Sequence, residues 1–540
     1  MVPEHTFTEG GQKMGLTQQI QKNFGDLFLF CFIKSKAPKT IAYYLFLIIL
    51  CLTEPILVHS KDTRSALSSE VPFGINHPGP IKERGIGIYF KDLGLKFTSI
   101  DIRRKGIEAT RGKYKWARVD KKIKELVDKI GLDVLACIFV STTWDTDGIY
   151  TKRRGGYLPR GAKSYQAYEE FLKALLQRYK AKIHHWMIQN EPRVEYKKYP
   201  EEYANLLKTS YKTIKEIDPS SVVYQGGAGI GEVVRGANFR PQVLEALRKA
   251  TDAGECKDGC FDVFDIHVQT FHHEYREAEL DGQKVDLVEH FSSLLRKYGF
   301  GHKPIISKGV STYSGKDLKA YVKSDKSKGG KRYRPAIYQS EEDQAIYLFK
   351  RFVYLLSKGI KRIYWSTIKE KSADNLLEPV DSYIGLIYNG IPRPGDCDLR
   401  TQFPCPDPGD GTKKLSYYTL KLMVEKLRGT DFDNIKTILD GRRDNICLYK
   451  FIKQKKQTYV AWWDYFNEAN FKEGDIKKFH IPIKNAKSVN IIAAVPHAIS
   501  GADLQAKAYP HFFKAEARTV KDNQVSITFG KKPLYIELRN

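Results

Sequence analysis

Between about residue 70 and residue 428, short apolar β-type runs alternate with longer helical patterns. The runs are Val71–Asn76, Phe97–Arg103, Leu132–Val140, Ile183–Gln189, Ser221–Gly226, Phe261–Val268, Pro304–Ser307 and Arg362–Ser366. Helical stretches such as Val119–Ile130, Tyr165–Tyr179, Glu201–Ile217, Val243–Ala250, Leu287–Tyr298 and Asp343–Leu356 stand between them. Eight βα repeats in succession predict an α/β fold, a closed (β/α)8 TIM barrel, whose active site must lie at the carboxyl ends of its strands.

From about Phe432 the pattern turns to short alternating strands, among them Ile446–Phe451, Thr458–Trp463, Lys478–Ile483 and Gln524–Phe529, with Gly, Asn and Asp in the turns. That predicts a C-terminal all-β domain of the sandwich type. A chain of 540 residues has room for both. The expected division is a leader over 1–60, the barrel over 61–428 and the sandwich over 429–540. In the leader, the apolar run Ile41–Leu52 follows Lys34, Lys36 and Lys39 and stops at Glu54-Pro55. It is short for a transmembrane helix and reads as a secretory signal peptide, with a retained membrane anchor as the alternative. The expected location is therefore secreted, periplasmic or at the cell surface.

Cysteine usage agrees with export. Cys256 and Cys260 lie close together, as do Cys397 and Cys405, and two local disulfides suit such a chain. No CxxC pair with a matching His is present, so no zinc site is expected, and Cys137 and Cys447 read as core thiols. Lys+Arg exceed Asp+Glu by 89 − 63 = 26. The lysines are spread over helix faces and loops without an RNA-binding or helix-turn-helix signature, so nucleic acid is not the expected partner. A solvated basic surface and attraction to an anionic polymer both remain open.

The strongest local signal is His184-His-Trp-Met-Ile-Gln-Asn-Glu-Pro192, an apolar strand that ends on Asn190-Glu191 and is stopped by Pro192. A carboxyl at the mouth of the fourth barrel strand suits acid/base work, and Asn190 beside it suits a hydroxyl of a sugar. A helix-capping Glu, or one paired with Arg193, is the plain alternative. The segment Trp186–Pro192 resembles the Asn-Glu-Pro acid/base motif of glycoside hydrolase clan A, which includes families 5, 39 and 42. Arg103 at the end of strand two, Gly112-Lys-Tyr-Lys-Trp-Ala-Arg-Val-Asp120, Asp265-Ile-His267 and Arg362-Ile-Tyr-Trp365 fall in the order that the clan shows. The resemblance implies a retaining glycosidase with no cofactor and no metal, acting on the O-glycosidic bonds of a polysaccharide or glycoconjugate, neutral or anionic.

In such an enzyme Glu191 protonates the leaving oxygen, and a second glutamate at the end of strand seven, about 5–5.5 Å away, attacks the anomeric carbon. At that second position this chain has Lys308, within His302-Lys-Pro-Ile-Ile-Ser-Lys-Gly-Val-Ser-Thr312. An ammonium there repels the positive charge that builds on the sugar ring and is expected to close a salt bridge with Glu191. A catalytically silent carbohydrate-binding barrel is therefore the alternative to an active enzyme. Glu274, Glu341, Glu342 and Glu370 are the substitutes considered for the missing carboxylate; each also reads as a loop or helix-start charge. By resemblance Arg103 would support the strand-seven residue and His267 would contact a sugar hydroxyl. Trp365 would form the stacking floor, and Trp144 and Tyr275 would line flanking subsites.

Overall fold

The computed structural model describes residue 67 and residues 69–539, apart from 79–84, 146, 153–154, 270–273, 281, 317–337, 372–382, 392–407, 455, 469 and 505–507. The leader, the Cys397–Cys405 pair and His272-His273 lie outside the described residues. Within the unit Lys61–Asn540, eight parallel strands close a barrel in the order β1-β8-β7-β6-β5-β4-β3-β2. They are β1 (Phe73–Asn76), β2 (Phe97–Arg103), β3 (Asp133–Phe139), β4 (His185–Ile188), β5 (Val222–Ala228), β6 (Val263–Gln269), β7 (Ile305–Ser311) and β8 (Ile363–Ser366).

The helices that cover the barrel include α1 (Ile86–Leu93), α2 (Ala117–Ile123), α3 (Gly161–Tyr179), α4 (Pro200–Ile217), α5 (Phe239–Asp252), α6 (Leu287–Lys297), α7 (Glu341–Ser357) and α8 (Leu415–Leu427). Helix α2 continues directly into a π-turn over Lys124–Lys129. Helix α7 starts as its sequence predicts: the Ser340 side chain accepts from the Asp343 N–H, and Asp343 caps Ser340 in return.

Alternation along each strand separates two cores. Phe97, Leu135, Met187, Tyr224, Ile306 and Tyr364 point inward and fill the barrel floor. Their neighbours one residue on, such as Ala136, Ile188 and Trp365, point outward into the larger core shared with the helices. Above the floor the inward positions become polar. Asn76 Nδ2 donates to Ser366 Oγ at 2.9 Å, and Ser99 donates to Asn76 Oδ1.

After α8 the chain builds a sandwich. Its six-stranded sheet runs β9 (Lys436–Asp440), β10 (Ile446–Lys453), β11 (Lys456–Trp463), then β16 (Leu534–Arg539), β13 (Ser488–Ala493) and β14 (Ala515–Thr519). The pair β12 (Lys477–Pro482) and β15 (Gln524–Phe529) faces it across a core that includes Leu448, Trp463, Ile481, Ile527 and Ile536.

Two predicted cysteine roles appear in the structure. Cys256 and Cys260 are disulfide-bonded, and Cys137 and Cys447 are buried free thiols. Among the described residues no helix is long and apolar enough to cross a membrane.

Candidate active site

Strand β4 ends at Ile188, and the chain then leaves regular geometry: Gln189 and Glu191 have φ of 61° and 47°. Non-glycine residues seldom occupy that left-handed region, and such outliers gather at functional sites. The turn presents the Glu191 side chain, 35% exposed, at the barrel mouth. Asn190 beside it has a buried Oδ1 with no hydrogen-bond partner among the described residues.

From β6, Asp265 and His267 point inward at the spacing of two that a strand dictates. His267 Nδ1 lies 2.9 Å from Glu191 Oε1, and its Nε2 lies 3.1 Å from Asp265 Oδ2. The other oxygen of Asp265 accepts from the backbone N–H of Lys308 at 2.7 Å. Burial opposes a charge on His267, but the carboxylates of Asp265 and Glu191 outweigh it and raise the imidazole to about 9. At neutral pH the His267 ring is therefore charged. Two glycines make room for the ring: a Cβ on Gly227 of β5 would stand 2.2 Å from Nε2, and one on Gly309 of β7 would stand 2.8 Å from Cγ.

Lys308 sits on an irregularity of β7, where the register against both β6 and β8 shifts after Ser307. Its side chain is fully buried, and Nζ has no hydrogen-bond partner among the described residues. The expected salt bridge with Glu191 does not form. Glu191 turns to His267 instead, and Lys308 acts electrostatically on the β1–β2 side of the mouth, on His77 and Asp101. Burial disfavours the charge on Asp101, yet His77, Lys308 and Arg103 hold its carboxyl below the ordinary range. His77 is pushed down to about 3, by burial first and by Lys308, Lys371 and Arg103 after it.

Several predicted roles are corrected by position. Arg103 is 56% exposed, donates to Asp101 at 2.6 Å and lies over the Phe139 ring. Trp365 is fully buried; its indole donates to the Ile384 carbonyl and packs on Tyr347 and Phe352 of α7. It faces the helices and offers no stacking floor, because the inward position of β8 falls on Ser366. Trp144 donates to the Glu108 carbonyl at 2.9 Å, with the Arg104 guanidinium over its ring.

Tyr275 lines no subsite either. Its hydroxyl donates to Asp464 at 2.5 Å and accepts from Arg276 and from Trp462 Nε1, in a buried junction between the loop after β6 and the sandwich. The substitute carboxylates are also engaged elsewhere. Glu341 accepts from the N–H groups of Leu415 and Gly501, Glu342 pairs with Lys532 and Glu370 with Lys414, while Glu274 is buried beside the junction. Asp101 and His77 were not singled out from sequence, although both sit at or just past strand ends, where barrel chemistry resides.

No family model matches the chain, and neither does any curated protein. Solved structures do. A family 39 glycoside hydrolase from Bacteroides cellulosilyticus superposes with TM-score 0.59 at 15% identity, covering 87% of this chain and 81% of its own. A GH39 enzyme from Xanthomonas axonopodis pv. citri gives 0.51 at 13% identity over 87% and 94%, and a monomeric beta-xylosidase from Caulobacter crescentus gives 0.51 at 13% over 87% and 96%. The chain shares the overall fold of these glycoside hydrolases, a closed eight-stranded parallel barrel followed by a β domain. In that fold the Glu191–His267–Asp265 chain and the buried Lys308 stand together at the carboxyl ends of β4, β6 and β7, the face on which such barrels do their chemistry.

Proposed function

We propose that this is an exported carbohydrate-recognising member of the glycoside hydrolase clan A lineage, with Glu191 in the acid/base place. The retaining route is closed because Lys308 stands where the nucleophile belongs, so the chain as written holds O-glycosides in the barrel mouth without cutting them. The observation that carries this reading is the buried Lys308 amine on the β7 irregularity, with no carboxylate beside it in hydrogen-bonding reach among the described residues. A retaining glycosidase needs a carboxylate there to form the covalent glycosyl intermediate and to balance the oxocarbenium charge; an ammonium does neither.

The apolar run Ile41–Leu52 behind three lysines supports export.

The test compares the protein as it stands, Lys308→Glu, and Lys308→Glu with Glu191→Gln, on aryl glycosides including β-xylosides and on neutral and acidic polysaccharides. Turnover is expected only in Lys308→Glu, with retention at the anomeric carbon and loss on adding Glu191→Gln. Glu191-dependent hydrolysis by the unaltered chain would overturn the silent reading. Absence of both hydrolysis and sugar binding in every form would overturn the carbohydrate assignment.

A further inference from the structure

On the β1–β2 side of the mouth a cleft of about 680 Å³ opens between the ends of those strands and α2. That is the size of a small-ligand site. Among the described residues its walls carry six cations, Arg103, Lys105, Lys115, Arg118, Lys122 and Lys371, against one carboxylate, Asp101, which Arg103 already engages. Lys115, Arg118, Lys122 and Lys371 make no ion pair among the described residues. Arg118 and Lys122 are four residues apart on α2, a like-charge spacing that costs helix stability. By contrast, Lys129, Lys173 and Lys249 each face a glutamate at the same spacing.

Lys122 is also partly buried, which draws its amine below the usual lysine range. The cleft therefore concentrates uncompensated positive charge, and within it the cations reinforce one another. It lies at the same strand ends as the mouth, within electrostatic reach of it. Asp101 and His77 line it, and both feel Lys308, whose backbone is bonded through Asp265 to His267 and so to Glu191.

We propose that this cleft binds the anionic groups, sulfate esters or uronate carboxylates, of a carbohydrate chain that extends from the Glu191–His267 end of the mouth. The inference rests on the carbohydrate reading above and names its substrate class. A nucleic acid strand fits less well, because among the described residues no Phe, Tyr or Trp lines the cleft to stack a base.

The test measures binding of the full chain to three size-matched fluorescent oligosaccharides: a sulfated glycosaminoglycan fragment, its desulfated uronate counterpart and a neutral xylo-oligosaccharide. A single-stranded oligonucleotide of equal charge serves as the fourth ligand. One variant removes Lys115, Arg118 and Lys122 as alanines; a control removes Lys436, Lys487 and Lys521 of the sandwich, which are exposed and equal in charge. The cleft variant is expected to weaken the better anionic oligosaccharide about tenfold or more and to flatten its salt dependence, with the control changing it less than about twofold.

The sulfated and desulfated arms show which group is read. Equal loss in both variants would overturn the inference in favour of diffuse surface attraction, and so would preference for the oligonucleotide. Binding of the neutral oligosaccharide alone, untouched by the cleft variant, would overturn this inference and leave the carbohydrate reading standing. Binding of no oligosaccharide would remove both.

Discussion

The two sides of the barrel mouth solve the same electrostatic problem in opposite ways. On the β4–β6 side Glu191, His267 and Asp265 form a chain of alternating charge, and Asp265 also holds the Lys308 N–H. On the β1–β2 side, among the described residues, one carboxylate faces six cations. A closed chain of charges fixes geometry and contributes to stability. An open set of like charges costs stability and is useful only when something of opposite sign arrives. Holding the sugar ring and attracting the polymer are thereby assigned to different walls of one opening.

That contrast can be broken by mutation. The largest effect is expected from Asp265→Ala, which strands a buried imidazole and a buried N–H; denaturant unfolding should show a loss of about 3–5 kcal/mol. Next comes pH. Because the folded protein raises His267 from its ordinary value near 6.5 to about 9, its contribution is complete below about pH 6.5 and disappears as pH climbs through 9. Unfolding free energies at about pH 6 and pH 10 should therefore differ by up to about 3 kcal/mol more in the protein as it stands than in His267→Gln.

Gly227→Ala, which drives a methyl into the His267 ring, should cost about 1–3 kcal/mol and shift the same pH profile towards that of His267→Gln. The smallest change belongs to the open side. Replacing Lys115, Arg118 and Lys122 by alanine should leave stability within about 0.5 kcal/mol or raise it, read as an unchanged or higher melting temperature. A marked fall there would mean that these cations are structural and would remove the contrast.

Much of the fold was legible because a parallel barrel buries both faces of its strands, so each strand writes a continuous apolar run. β2 falls on Phe97–Arg103 as predicted, and the other seven differ by a few residues at their ends. The positions of Glu191 and His267 at the mouth were legible for the same reason, since one follows the end of β4 and the other lies two residues before the end of β6. What sequence could not give was direction. Trp365 and Ser366 are adjacent on β8, and only the closed barrel decides which faces inward. Tyr275 was misread because its partner, Asp464, lies 189 residues on, and no local pattern announces so distant a contact. The Lys308–Glu191 bridge failed because sequence supplied the charges but not His267 standing at Glu191 in place of the ammonium.

The junction at Tyr275 bears on how the molecule can be taken apart. The phenol, the Trp462 indole, the Arg276 guanidinium and the Asp464 carboxylate share one cluster, half contributed by the chain just past β6 and half by the second domain. The strand that supplies Asp265 and His267 is thus moored, a few residues later, to the far domain. The sandwich is consequently not an interchangeable module: a chimera that swaps it must reproduce Trp462 and Asp464 or leave a buried hydroxyl and a guanidinium without partners. Inheritance of the barrel mouth and inheritance of the sandwich are tied together by four side chains.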